Sequence, residues 1–197
     1  MNLNEKEFTN EEITFINQFE SNVPFRVLQT TIQNDLVVLR NPCAEIKTNN
    51  LNLAHLIQRI HATVINEQSK GVGIAAPQIG INRQVILVQR LDKLDKAFEF
   101  FINPKITWKS DILREGEEGC LSIPDNYQLV KRSLIIEIEF QNLDGLIHKE
   151  IVEGYTAVIF QHEIDHLNGV LFIDYIKIHP TENYQLADKV HNLVYKK

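Results

Sequence analysis

The chain has 197 residues, 44% of them hydrophobic and 23% charged, with a formal net charge of -6; that length and balance suit one globular domain with a real core, not a collagenous or disordered polymer. A net negative molecule lacks the electrostatic footprint that a nucleic-acid backbone selects, and the polar, acidic start MNLNEKEFTNEE is neither a secretory signal nor an Arg-rich transit peptide. No apolar run approaches the roughly 20 residues of a membrane span, and Cys43 and Cys120 are too few for a disulfide framework, so a soluble, cytoplasmic protein with free thiols is expected.

Phe8, Ile13, Ile16 and Phe19 stand at nearly helical spacing and predict an amphipathic helix over residues 7–20, ended by Pro24. Residues 25–39 read as extended or irregular up to the turn at Asn41 and Pro42. Beyond Asn49 and Asn50, either of which could cap, Leu53, Leu56, Ile57, Ile60, Val64 and Ile65 share one face of a helix. That helix leads into GVGIAAPQIG (71–80); QVILV (84–88) and FEFFI (98–102) then read as buried strands around a charged turn at 91–96, the second stopped by Asn103 and Pro104. Residues 129–140 alternate as one half-exposed strand, and Asp144 and Gly145 turn it into a partner over 146–152. A helix over 156–167 follows, closed by Asn168 and Gly169, and a last short helix is expected from about Thr181, its solvated end carrying Lys189, His191, Lys196 and Lys197. The pattern is α+β and lacks the regular alternation of a βαβ fold.

The strongest chemical signal is HEIDH at 162–166. Residues four apart on a helix differ by roughly 40° in direction, so the two imidazoles can reach one ion, and Glu163 can then serve a bound water as general base. Ordinary core histidines are the alternative, but Val158, Ile159, Ile164 and Leu167 make the helix internal, where unpaired imidazoles are costly. A catalytic site usually has a third protein ligand. In the extended zinc-protease pattern it would fall at residue 172, which is Phe172; Glu182 lies behind Pro180. That leaves Cys120 in EGCLSIP (118–124), whereas Cys43 reads as a packing residue. GVGIAAPQIG lacks the Lys and Ser or Thr of a phosphate-binding loop and the third glycine of a dinucleotide fingerprint.

Taken together and in order, GVGIAAPQIG, EGCLSIP and QHEIDHLNG resemble the three signature motifs of the peptide deformylases, and the likeness extends from FRVLQ near Phe25 through VLRNP and INPKI to VLFIDYI. Residues 1–24 fall outside it and are read as an N-terminal extension to a catalytic domain over 25–197. The resemblance implies antiparallel sheets around a central metal-binding helix, with an N-terminal amphipathic helix and a short C-terminal one.

It further implies removal of the N-formyl group from the formyl-methionine of nascent chains. Cys120, His162 and His166 would hold one divalent ion, Fe(II) in cells, with Zn, Ni or Co able to replace it in a purified sample. Hydroxide generated on that ion would attack, with Glu163 as base and then acid, and with the Gln78 amide and the Leu121 N–H as oxyanion donors. Cys120 would be a ligand and no nucleophile. Gly71, Val72 and Gly73 would bind the substrate, its backbone pairing as an added strand. Val72, Ile123, Val158 and Ile159 would form the methionine pocket, and Glu118 and Gln161 would orient the loop and helix behind the ligands. One departure is Tyr127, where many bacterial members have Arg; Arg132 is the nearby alternative for contacts to the substrate backbone. The expected partners are formylated nascent peptides and, through the C-terminal helix, the ribosome surface, with neither nucleic-acid specificity nor a membrane.

Overall fold

The computed structural model describes residues 6–175 and 184–196, which contain the helices α1 (Asn10–Ile16), α2 (Gln33–Arg40), α3 (Leu53–Val64) and α4 (Gly154–Leu167). Five strands, β1 (Gly73–Ala75), β2 (Val85–Gln89), β3 (Phe98–Lys109), β6 (Ile135–Gln141) and β7 (Ile147–Glu153), form an antiparallel sheet in the order β1-β2-β3-β6-β7. A second sheet has the order β5-β4-β9-β8, from β4 (Ile112–Cys120), β5 (Ile123–Ser133), β8 (Tyr184–Asp188) and β9 (Leu193–Lys196). This is the expected α+β architecture.

Helix α4 lies between the sheets. Ala157, Phe160 and Ile164 are buried in one cluster with Ile86 and Val88 of β2, Phe101 of β3, and Ile136 and Ile138 of β6. On its other side His162 meets Glu118 of β4. A helix enclosed this way must bury apolar side chains on more than one face, as Ala157, Val158, Ile159, Phe160, Ile164 and Leu167 are buried here, and any polar group it carries must find a partner. Its C-terminal end requires Gly169: φ there is +70°, and a Cβ would stand 2.2 Å from the Arg40 carbonyl oxygen. A second cluster gathers Leu53, Leu56, Ile60 and Val64 of α3 against Ile74, Val85 and Leu87. Ile65, expected on that face, is half exposed, because the helix ends at Val64.

Phe8 and Ile16, from the segment read as an extension, belong to the same cluster as α3. Helix α1 is shorter than predicted, starting from a Thr9 and Glu12 capping box. Its C-terminal carbonyls are capped from α3, Arg59 donating to the Phe15 and Ile16 oxygens at 3.2 and 2.8 Å while its guanidinium lies 3.7 Å from the Phe25 ring centre.

Four expectations from sequence are corrected. Residues 25–39 hold α2, whose first turn is fixed by Asp35 accepting from Arg26 and from the Gln29 N–H. Strand β3 does not stop at Asn103: that residue takes φ +49°, its amide exchanges two 2.9 Å hydrogen bonds with the Ile46 backbone, and the strand continues past a register shift to Lys109. The single strand expected at 129–140 is two, one in each sheet. The chain changes sheet at Leu134, which donates to Ile112 and accepts from Gly154. The C-terminal helix is instead the pair β8 and β9, because the outer edge of β4 at Ile112–Arg114 leaves backbone groups that β9 satisfies. Residues 181–183, where that helix was to begin, lie outside the described residues.

Candidate active site and metal centre

A cleft of about 310 Å³ opens between β1, the turn joining β4 to β5, and α4. Strand β1 is the edge of its sheet, and its first residue, Gly73, lines the cleft with the preceding Gly71 and Val72. Gly73 is required by closeness: a Cβ on it would lie 2.4 Å from Glu163 Oε1. The glycine motif therefore brings β1 directly against the helix that carries HEIDH.

Across the cleft, Cys120 ends β4 and Leu121 occupies the turn, its carbonyl accepting from Gln29 Nε2 at 3.0 Å. The ligating atoms of Cys120, His162 and His166 all lie within 4.8 Å of one another, with Cys120 Sγ 3.2 Å from His166 Nε2. A soft thiolate and two imidazoles at this spacing suit a divalent transition ion. Burial holds His166 well below the ordinary histidine range, which favours the neutral form that a metal ligand needs. Phe172, found where a third histidine of the protease pattern would stand, packs its ring on His162.

Behind the ligands is an ion chain. His162 Nδ1 meets Glu118 Oε2 at 3.0 Å, Arg132 donates to both Glu118 oxygens at 2.8 and 2.9 Å, and the same guanidinium pairs with Asp165. Burial alone would raise the Glu118 carboxyl, but the hydrogen bonds from Arg132 and His162 hold it down at about 2. This fixes the His162 ring with Nδ1 toward the carboxylate and its other nitrogen on the side of Cys120. Gln161 bonds both the N–H and the carbonyl of Ser133, at 3.1 and 2.9 Å, tying α4 to the end of β5.

Gln78 is locked by its own loop. Its Oε1 accepts from the Ala75 N–H at 2.8 Å, which turns Nε2 toward Cys120 Sγ at 3.5 Å and Ser122 Oγ at 3.3 Å. Glu163 Oε2, by contrast, is buried without a hydrogen-bond partner, and burial pushes the carboxyl up to about 7. An orphaned acid beside a Cys and two His is a group placed for a water or a substrate rather than for the fold.

The three motifs thus meet in one cleft, as their order suggested. Val72, Val158 and Ile159 line it, but Ile123 does not: it is buried in a separate cluster with Val130, Leu171 and Phe172. Arg132 is not available to a substrate either, being 2% exposed and consumed by Glu118 and Asp165. Tyr127 does reach the rim, its ring lying over Gly119, where a Cβ would come within 2.6 Å of it. Asp165, Gln29 and Ser122 join the site with no sequence expectation behind them. The fourth position of HEIDH is the available sign for Asp165, whereas nothing local marks Gln29.

Similarity searches give the same family as the motifs. Residues 28–181 match the family model for polypeptide deformylase. The chain belongs to that family. A peptide deformylase of Afipia carboxidovorans is 46% identical over 107 residues, an alignment spanning 54% of this chain and 63% of that one. The Synechocystis peptide deformylase is 40% identical over 138 residues, 70% of this chain and 73% of its own. Among solved structures, the class I type b peptide deformylase of Acinetobacter baumannii with Met-Ala-Ser bound superposes at a TM-score of 0.70 with 33% identity, over 79% of this chain and 99% of that one. Deformylases are single-metal hydrolases that remove the N-formyl group of nascent peptides, and the Cys120, His162 and His166 cluster fits such a metal site.

Proposed function

We propose that this chain removes the formyl group from N-terminal formyl-methionine, with Glu163 moving the protons. The observation that carries the reading is the buried, unpartnered Oε2 of Glu163, one residue from His162 and facing the same cleft as Cys120. Cys120, His162 and His166 would hold the ion, Fe(II) in the cell with Zn, Ni or Co as substitutes. When bound, a divalent cation acts as a Lewis acid and makes water acidic enough to serve as a nucleophile at neutral pH.

Glu163 accepts the proton of the attacking water and returns it to the leaving amine, so one carboxylate serves as base and then acid. Gln78 Nε2, already aimed into the site, and the Leu121 N–H donate to the oxygen that gains charge at the formyl carbon; one such donor is worth about 3 kcal/mol. Cys120 stays a ligand and makes no covalent bond to the substrate. Gly71–Gly73 pair with the peptide backbone as β1 would pair with another strand, and Val72, Val158 and Ile159 receive the methionine side chain. Glu118 and Gln161 keep His162 and the helix in place. The Acinetobacter relative binds Met-Ala-Ser, the peptide left when formyl-Met-Ala-Ser loses its formyl group, which supports the same substrate class here.

Residues 1–24 would be scaffold for the domain over 25–197, since among those described none lines the cleft. Among the described residues no helix is long and apolar enough to cross a membrane. The ribosome contact rested on a C-terminal helix that the structure replaces by β8 and β9, and it forms no part of the proposal.

Formate release from formyl-Met-Ala-Ser, measured anaerobically with Fe(II) or aerobically with Ni(II), tests the reading. Glu163→Gln is expected to lower kcat by about 10²–10⁴. No release by the metal-loaded native chain would overturn the assignment.

A further inference from the structure

Beside the main cleft lies a second cavity of about 80 Å³, and the two share Glu117, Glu118, Tyr155 and Val158 as walls. Alternation along β4 explains the cavity. Arg114, Gly116 and Glu118 stand on one face of the strand, and this is the face turned toward α4, because Glu118 meets His162 there. In the middle of the row the side chain is missing. A Cβ built on Gly116 meets no heavy atom within 4 Å, and its cross-strand neighbour Val130, though buried, leaves the space open. Arg114, 5.4 Å from the Tyr155 ring centre, lines only the small cavity and so marks its end away from the cleft.

We infer that this cavity prolongs the subsite for the side chain of the substrate's first residue, and that Gly116 opens it to unbranched side chains longer than methionine. The inference rests on the deformylase reading above, since such a side chain must enter past Val72, Val158 and Ile159 from the main cleft. At about 80 Å³ the space exceeds the roughly 30 Å³ that one water occupies in the liquid, so it has room for more than one added methylene. A filled pocket would reject such a chain: one methylene that does not fit costs on the order of 10-fold or more in kcat/KM.

The test is formate release by the Ni(II)-loaded full chain from formyl-X-Ala-Ser, with X either methionine or 2-aminooctanoate, whose side chain is two atoms longer. In the native chain the 2-aminooctanoate peptide is expected to reach about one-third or more of the methionine kcat/KM, and Gly116→Ile to lower that ratio by about tenfold or more. A native ratio below one-third, or a smaller drop in the variant, with formyl-Met-Ala-Ser still deformylated, overturns the inference alone. Absence of any release from formyl-Met-Ala-Ser overturns the deformylase reading and the inference with it. The native ratio needs no variant, and Gly116→Ala, whose added methyl meets no neighbour, should lower the ratio to an intermediate value if the isoleucine variant does not fold.

Discussion

The two cysteines show how environment divides one residue type. Cys43 is buried among Ala75, Ile86 and Leu167, and burial pushes its thiol up to about 12; Cys120 is part-exposed at the cleft beside His166. A thiol reacts as its thiolate. A thiol reagent such as a disulfide dye is therefore expected to label Cys120 in the metal-free native chain, to label it more slowly once metal is bound, and to leave Cys43 untouched until the chain unfolds. The same division predicts metal content: Cys120→Ala loses stoichiometric metal and Cys43→Ala keeps it, as elemental analysis after dialysis would show. Equal content in both variants would remove Cys120 from the ligand set.

At the level of elements, strands and α4 hold the site through charges that only make sense together. Arg132 of β5 is 1% exposed in its side chain and is the counter-ion of both Glu118 and Asp165. Arg132→Met leaves a buried carboxylate unpaired, and a loss of about 3–5 kcal/mol is expected in urea unfolding. Because Glu118 then holds the His162 ring less firmly, metal affinity should fall by about 10–100-fold in a chelator competition. At the start of α2, Arg26 and the Gln29 N–H hold the Asp35 carboxyl down at about 2 from its ordinary 3.8. A carboxyl depressed in the folded state contributes stability that is present in full above about pH 4 and is lost as the pH falls toward 2. The gap in unfolding free energy between the native chain and Asp35→Asn should accordingly be constant from pH 7 down to about 4 and close below it; a gap that persists at pH 2 would show that the pair contributes nothing through its charge.

Across the whole molecule, the described residues before 25 pack Phe8 and Ile16 into the core, and none of them lines the cleft. Phe8 and Ile16 are 5% and 0% exposed, and burying a side chain of this size is worth about 1.5–3 kcal/mol. Their removal would also strip Arg59 of the carbonyls it caps. Deleting residues 1–24 is expected to lower the unfolding midpoint while kcat/KM per folded molecule stays near the native value. A selective fall in kcat/KM with the fold intact would instead make the segment part of substrate handling.

Much of this was legible in the chain, since HEIDH, EGCLSIP and GVGIAAPQIG carry their chemistry in local spacing, and α3, α4 and the hairpin at Gly145 carry theirs in periodicity and turn residues. What local pattern could not decide depends on partners far away in sequence. Strand β3 continues through Asn103 because Ile46 offers a backbone to bond, Tyr184–Asp188 and Leu193–Lys196 are strands because β4 has an open edge, and the run at 129–140 is divided because Leu134 bonds to both Ile112 and Gly154. Arg132 was open to a substrate on paper and is closed to it in the fold, since two carboxylates from other elements consume it. Sequence by itself determined which atoms could bind a metal and move a proton. Only the tertiary structure decided which of them are buried, which are already paired, and where a missing side chain at Gly116 leaves room, because burial and pairing belong to contacts between elements and not to any one of them.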